Sequence, residues 1–497
     1  MRITSGKTIF FVAGATSLLL LTFAYFAYPV PAGDALYFVV PAVQFTSKGE
    51  LTSPLYPSEW MIDKIIDPTG MKRFLFYPPL FPLAVSVLMP EATPRGALLA
   101  IAFINVAVLC LSTLFFYKVA KKKKGAVWQK TLIVGLALIA LASSLAENGR
   151  PEVLARLWLV LACLVPWYIS KKYAYVVYGI LAGLMFATHP PAGIFSLLIL
   201  GIVFGVIYKW KDVVFEGSKI LGIGFMVALG GIAVGPFGVR ETIEATFRHV
   251  ATVNHIIAEG TEKWFTLSNV ITHYVSSPAT PFYGLVIILF VVESVLLYWK
   301  YRARLASPLI TLLCAVILMY ALGKVTYNMG HVFYISLFAP LMFAIFILFF
   351  LEQKWRWKSA TVIILLLVAT GFVRTALLFP FFLKQEVTLE TARADFAKRV
   401  ISYEGKDKWI GVTGGLWTLT EKYEKVYAYN TWPEKPKKGT ALIFFQERYS
   451  GMRYPPAIDG CALTYDAFSK RLPQIFGIKL GNTMPGYGYA VYDCFNL

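Results

Sequence analysis

About eleven apolar runs, each near the length a bilayer needs, alternate along this chain with short loops rich in lysine and arginine. About 20 apolar residues span the hydrocarbon core of a membrane, and a span must satisfy its backbone polar groups internally, which selects the helix. The runs fall near 8–28, 96–117, 130–146, 153–170, 173–188, 192–208, 219–236, 281–298, 306–322, 332–351 and 359–380. They predict a polytopic α-helical membrane protein of about eleven transmembrane helices. A soluble chain of 497 residues could not hide a sequence that is 57% hydrophobic and 15% charged, with a mean hydropathy of +0.62. The first run is longer than a signal-peptide core of roughly 7–15 residues, and Tyr28-Pro29 stands where cleavage would want small residues. It is expected to remain as the first helix.

The net charge of +19 does not point to nucleic acid, because the basic residues sit in loops where they set topology. Lys118 and Lys121–Lys124, Lys171-Lys172, Lys209 with Lys211, Lys300 with Arg302 and Arg304, and Lys354 with Arg356 and Lys358 all fall on one side of the alternation. That side is assigned to the cytoplasm, together with the N-terminus. The opposite loops are richer in acid, with Asp34, Glu50, Glu59, Asp63 and Asp67 in the first and Glu147 and Glu152 in the second. Two of these outer loops are long, 29–95 and 237–280. In the first, the stretch 74–89 is apolar but short and broken by Pro78, Pro79 and Pro82, which predicts a re-entrant or interfacial segment. In the second, Ile243, Phe247, Val250 and Ile257 recur at helical spacing beside Arg240, Glu244 and Arg248, the pattern of an interfacial amphipathic helix.

Composition changes after Pro380. A helix is predicted at 388–402 and short strands at 409–413, 441–445 and 489–495, bounded by glycine and proline. The chain therefore divides into a membrane domain, 1–383, and a C-terminal α/β domain, 384–497, which an odd number of spans places outside the cytoplasm. Cys110, Cys163 and Cys314 lie in predicted spans and are expected to pack there. Cys461 and Cys494 lie in the outer domain, either as a disulfide or as two free thiols.

Several residues on the outer side could carry chemistry. Asp34, in Pro31-Ala32-Gly33-Asp34-Ala35-Leu36-Tyr37, stands just past the first span. A carboxylate this close to the hydrocarbon is costly without work or a partner, although capping a following helix would also account for it. Lys72-Arg73 precede Tyr77-Pro78-Pro79-Leu80, and there they can bind a lipid phosphate or simply anchor the interface. Glu147-Asn148-Gly149-Arg150-Pro151-Glu152 forms a tight turn in which Pro151 suits a helix start and Glu152 favours the helix dipole. Arg150 and Glu152 either serve that local role or line a cleft with Asp34. All five histidines, His189, His249, His255, His273 and His331, fall on the outer side, with His189 and His331 at span ends. No pair has metal-ligand spacing, so a divalent metal would need ligands gathered by the fold, and no cofactor is assigned. A P-loop and a G-x-S-x-G elbow are both absent.

Taken together, Gly33-Asp34-Ala35-Leu36-Tyr37 after the first span, Tyr77-Pro78-Pro79-Leu80 closing the loop, and Arg150-Pro151-Glu152 followed by Thr188-His189-Pro190 resemble the GT-C superfamily of polyprenyl-phosphate-sugar glycosyltransferases. The similarity is to the branch of protein O-mannosyltransferases and lipid A aminoarabinose transferases, in detail over roughly 8–240 and beyond that in general plan. The resemblance implies that Asp34 is the catalytic base, that Lys72 and Arg73 contact the donor phosphate, and that Glu152 is an auxiliary acid where many members have a second acid beside the first. Tyr37, Tyr77, Arg150 and His189 follow as substrate-binding candidates. Lys324 and His331 join them on placement alone. The implied partners are a polyprenyl-phosphate sugar donor such as an undecaprenyl phosphate, membrane lipids, and a lipid, polysaccharide or protein acceptor. The implied reaction is a single displacement that inverts the anomeric centre, on the outer face of the cytoplasmic membrane.

An alternative is a polytopic transporter or lipid flippase of the cell envelope. It would place charges near the bilayer midplane and often carry repeats. No repeat is evident, and Glu293 and Arg374 are the obvious span charges, both near predicted ends.

Overall fold

The computed structural model describes residues 36–52, 77–121, 126–145, 150–190, 192–194 and 210–246 of the helical part. In the C-terminal part it describes 408–412, 426–428, 438–447, 460–466, 474–475, 478–479 and 487–494, with a few isolated residues elsewhere. The helix predicted at 388–402 and the spans after 236 fall essentially outside the described residues.

Helix α1, Leu36–Lys48, lies inside the first long loop. Its 13 residues are too few to span a bilayer, in keeping with a place in an outer loop. The helix forms because Phe38, Val39, Val40, Ala42 and Val43 are buried, and it stops at Gly49, whose φ of 75° suits a residue without Cβ. Helix α2, Leu80–Leu88, starts directly after Pro79. Pro82 falls in its first turn, where no intrahelical N–H is required. Nine residues reach about 13 Å, so α2 enters the helical layer without crossing it.

The longer helices follow as α3 (Pro94–Lys121), α4 (Val127–Leu145), α5 (Glu152–Tyr168), α6 (Lys171–Thr188) and α7 (Trp210–Ala233). The Thr93 hydroxyl caps α3 by accepting the Gly96 N–H at 3.1 Å, and Lys118 and Lys121 occupy its last turn, where the helix dipole favours cations. Among the described residues, Gly96–Lys121 and Glu216–Ala233 are long and apolar enough to cross a membrane. Leu221, Phe225, Met226 and Val234 of the α7 region are exposed, as a face turned to lipid would be. Cys110 is also exposed rather than packed between helices, which corrects the expectation for it.

Side-chain contacts give the helix directions. Lys118 Nζ lies 4.6 Å over the Tyr168 ring, so α3 and α5 end together and run parallel. Trp158 Nε1 donates to Thr188 Oγ1 at 3.1 Å, which sets α6 antiparallel to α5. Gly179 faces Ile220 and Ile223, Gly183 faces Gly224 and Val227, and Gly231 faces Ala187, a constant register that makes α6 and α7 parallel. A Cβ on Gly183 would come 2.5 Å from the Gly224 carbonyl oxygen, so this approach requires glycine. Lys118, Lys121, Lys171 and Lys172 therefore gather at one end of the bundle, with Lys219 toward it, while Pro94, Glu152 and His189 mark the other.

The C-terminal part contains a five-stranded mixed sheet in the order β2-β1-β3-β7-β4. The strands are β1 (Lys408–Val412), β2 (Val426–Ala428), β3 (Thr440–Glu447), β4 (Ala462–Asp466) and β7 (Tyr487–Cys494). A separate two-stranded ribbon pairs β5 (Gln474–Ile475) with β6 (Ile478–Lys479). Strand β1 pairs in parallel with β2 and β3, while β7 pairs antiparallel with β3 and β4. Cys461 and Cys494 form a disulfide that ties the start of β4 to the end of β7. Ile410 and Val491 belong to the same buried cluster as Phe38, Phe81, Val85, Val153 and Leu154, and Tyr465 packs against it. Residues of β1 and β7 thus share one apolar cluster with α1, α2 and the first turn of α5.

Candidate functional site

The turn before α5 builds one side of the site. Pro151, at φ −58° and ψ −23°, opens the helix where its missing N–H is not needed. The Val153 N–H then reaches back to the Arg150 carbonyl at 3.2 Å and that of Leu154 to the Pro151 carbonyl at 3.1 Å. This tight start directs Arg150 and Glu152 at each other, and they form an ion pair of 3.0 Å with Glu152 largely buried. Burial pushes the Glu152 carboxyl up, but the Arg150 charge, attraction to His189, its own backbone N–H and the Arg150 hydrogen bond together hold it below its ordinary value of 4.5. Among the described residues, the second carboxylate oxygen, Oε2, is buried without a hydrogen-bond partner. Such an atom is an acceptor awaiting a donor.

The end of α6 builds the facing side. A residue before proline is pushed out of the helical region, and His189, before Pro190, has φ −158° and ψ 104°. Its N–H still closes the helix onto the Met185 carbonyl at 3.0 Å. Its ring is buried, and Nδ1 accepts the Ala192 N–H at 3.4 Å, a long contact that turns the Nε2 edge elsewhere. The Tyr77 ring stacks on this imidazole with centroids 5.1 Å apart and planes 16° from parallel. Tyr77 also touches Phe38 of α1 at 5.3 Å, and Phe38 meets Phe81 of α2 edge-on at 6.1 Å. Pro79 closes the group against the far end of α7, where a Cβ on Gly235 would come 2.6 Å from its Cγ.

Of the residues singled out from sequence, Tyr77, Arg150, Glu152 and His189 are therefore brought together. Tyr37 lies on α1 beside Phe38 in the chain. Asp34, Lys72, Arg73, Lys324 and His331 lie outside the described residues. The helix predicted in the second outer loop is described over 239–246, where Arg240 Nε donates to Glu244 at 2.8 Å, one turn apart. Among the described residues no group of three or more His, Cys, Asp and Glu converges as a metal site.

One charged residue at this end escaped sequence reading. Arg156 is 2% exposed and lies within the fourth apolar run, so Glu293 and Arg374 are not the only span charges to weigh. The signal was available, an arginine four residues into an otherwise apolar stretch. At that position it looks like a side chain reaching for the interface.

No family model matches the sequence, and no curated protein matches it. Among solved structures, the chain is similar to ArnT from Cupriavidus metallidurans bound to undecaprenyl phosphate, at a TM-score of 0.51 and 13% identity, over 87% of this chain and 92% of that one. Weaker similarities, from which nothing is drawn, are to the Archaeoglobus fulgidus oligosaccharyltransferase in its apo form (TM-score 0.44, 10% identity) and to arabinofuranosyltransferase AftD from Mycobacteria (TM-score 0.46, 12% identity). The chain covers 84% of itself but spans 64% of the oligosaccharyltransferase, and 99% of itself but 40% of AftD. The likeness to the ArnT structure is one of fold. The chain has a polytopic helical membrane fold.

Proposed function

We propose that this protein is a membrane glycosyltransferase that moves a sugar from a polyprenyl-phosphate donor to an acceptor hydroxyl on the outer face of the cytoplasmic membrane. The observation that carries the proposal is the convergence of Tyr77, Arg150, Glu152 and His189 at one end of the bundle, with the lysines at the other. A lipid-borne donor has its headgroup at a membrane face, so a site at the helix ends suits it, whereas a transport path would run through the midplane. The fold it shares with ArnT, whose structure holds undecaprenyl phosphate, is consistent with such a donor.

In this reading Asp34, two residues ahead of α1 in the chain, takes the proton as the acceptor oxygen attacks the anomeric carbon. General-base help of this kind is typically worth about 10²–10⁴-fold. The bond to the phosphate oxygen breaks with its electron pair, and one displacement inverts the centre. Arg150 and His189, with Lys72 and Arg73, meet the departing phosphate. Glu152 holds Arg150 and offers its buried Oε2 to a donor hydroxyl. Tyr37, Lys324 and His331 complete the proposed substrate contacts.

The full plan has about eleven spans and a C-terminal domain over 384–497 outside the cytoplasm, next to the site and positioned to receive a lipid, glycan or protein acceptor. The Cys461–Cys494 disulfide supports that orientation, because such bonds persist in oxidising compartments. The test is transfer by the purified protein from polyprenyl-phosphate sugars to candidate acceptors, wild type against Asp34→Asn. The expected result is a loss of about 10²-fold or more in the variant. Transfer at the wild-type rate would remove Asp34 from its role.

A further inference from the structure

The lysine end of the bundle combines charge with exposed aromatic surface. Lys118 and Lys121 close α3, Trp128 stands in the first turn of α4, Tyr168 ends α5, and Lys171, Lys172 and Tyr173 open α6. Trp128, Tyr168 and Tyr173 are 56%, 55% and 57% exposed, and Lys121, Lys171 and Lys172 are exposed as well. Lys118 Nζ lies over the Tyr168 ring at 4.6 Å, Lys172 Nζ over Tyr173 at 5.4 Å and Lys219 Nζ over Tyr175 at 4.9 Å. Lys219 also pairs with Glu216 at 3.4 Å, so its charge is balanced locally.

Topology alone does not account for this arrangement. The bias that orients a membrane protein counts Lys and Arg in its loops and is indifferent to where each ammonium rests. Here Lys118 and Lys172 rest on aromatic faces, which attract the charge without using up its N–H donors. Among the described residues, no carboxylate pairs with either. Tyrosine and tryptophan settle at the headgroup level of a bilayer, so ammonium groups held on them lie at the depth of the lipid phosphates. These contacts come from the ends of α3, α5 and α6, which places fixed charge from separate helices on one membrane face.

We propose that this end is an interaction surface for the headgroups of anionic phospholipids. Lys118 on Tyr168 and Lys172 on Tyr173 are its fixed contacts, and Lys121 and Lys171 are its flanking charges. The phosphodiester oxygens of such a lipid accept charge-assisted hydrogen bonds from the ammonium groups. The exposed rings of Trp128, Tyr168 and Tyr173 meet the glycerol and upper acyl region. A zwitterionic lipid brings its own cation to the same place and gains less. Each lysine near an anionic membrane surface contributes about fivefold to the attraction. Lipid bound here bridges α3, α5 and α6 and so stabilises the bundle. The surface stands apart from the Arg150, Glu152 and His189 group at the other end, and it does not depend on the transferase reading.

The test places the full-length protein in nanodiscs holding equal amounts of phosphatidylglycerol and phosphatidylcholine. Native mass spectrometry then gives the ratio of the two lipids retained. Wild type is expected to favour phosphatidylglycerol on the order of tenfold. K118Q/K172Q should lose most of that preference, K118R/K172R should keep it, and Tyr168→Leu should reduce it by about twofold to fivefold. Lys48→Gln, at an exposed lysine of α1 outside the surface, should leave it unchanged. Equal retention of the two lipids by wild type overturns the proposal. An undiminished preference in K118Q/K172Q does so too, because the net charge of +19 would then attract anionic lipid without a site. Melting temperature is the second readout. Phosphatidylglycerol should raise that of wild type and not that of K118Q/K172Q, and an equal rise in both would count against the surface. Inorganic phosphate at matched ionic strength should not displace the lipid, and displacement would overturn the lipid assignment.

Discussion

At the scale of the residue, the site rests on how few groups set its charge. Glu152 is held ionised by Arg150 and by a nearby imidazole that carries charge only when protonated. A carboxyl whose folded pKa is depressed stabilises the fold fully above its unfolded value and loses that contribution as pH falls through the folded value. The stability gap between wild type and Glu152→Gln is therefore expected not to shrink from pH 7 down to about the ordinary 4.5, and to shrink below it. Thermal melts across that range check this, and a gap that closes above pH 5 would contradict it. His189 separates shape from charge. His189→Phe keeps a ring for Tyr77 to stack on, so it should fold as wild type does while transfer falls by at least about tenfold. His189→Ala should lose transfer and also about 1 kcal/mol or more of stability, as the aromatic contact disappears. Arg150-Pro151-Glu152 and His189 were legible in the sequence because proline and helix-end chemistry mark such positions. Their meeting with Tyr77 was not, since it depends on packing between segments far apart in the chain.

At the scale of the element, the longer described helices follow hydropathy closely, because about 20 apolar residues have few other fates. Helix α1 and strand β4 show where that logic stops. A 13-residue apolar stretch broken by Pro41 carries no spanning signal, and its helix exists because it packs against α2 and α3. Ala462–Asp466 has too few β-branched or aromatic residues to mark a strand, and its pairing with β7 decides it. The α6–α7 pair is the most sensitive element contact. Gly183→Val would drive a branched side chain into the Gly224 backbone and Val227, where overpacking costs about 1–3 kcal/mol. Gly222→Val, at a position with nothing within 4 Å of an added Cβ, should fold unchanged. Melting temperatures in one detergent distinguish the two, and equal losses would mean that α6 and α7 do not approach as described. Since His189 ends α6, Gly183→Val should also lower transfer.

At the scale of the whole molecule, the function depends on which end of the bundle faces out. The sheet shares an apolar cluster with α1, α2 and the first turn of α5, against which Tyr77 also packs, and the start of β4 is joined to the end of β7 by the Cys461–Cys494 bond. In the proposed reading, one membrane side supplies both the oxidant for that bond and the acceptor for the site. Removing the disulfide, which closes a sequence separation of 33, should destabilise the sheet by about 3–4 kcal/mol on loop entropy. An impermeant reductant added to intact cells should reach it from outside. Orientation is then read directly with two single-cysteine variants, after replacing Cys110, Cys163 and Cys314 and leaving the disulfide in place. Glu91→Cys lies in the exposed turn between α2 and α3, at the site end, while Lys172→Cys lies at the lysine end. An impermeant maleimide on whole cells should label the first and spare the second until the membrane is opened. The reverse pattern would turn Asp34, Glu152 and His189 toward soluble cytosolic nucleotide-sugars, and a lipid-borne donor would no longer be required.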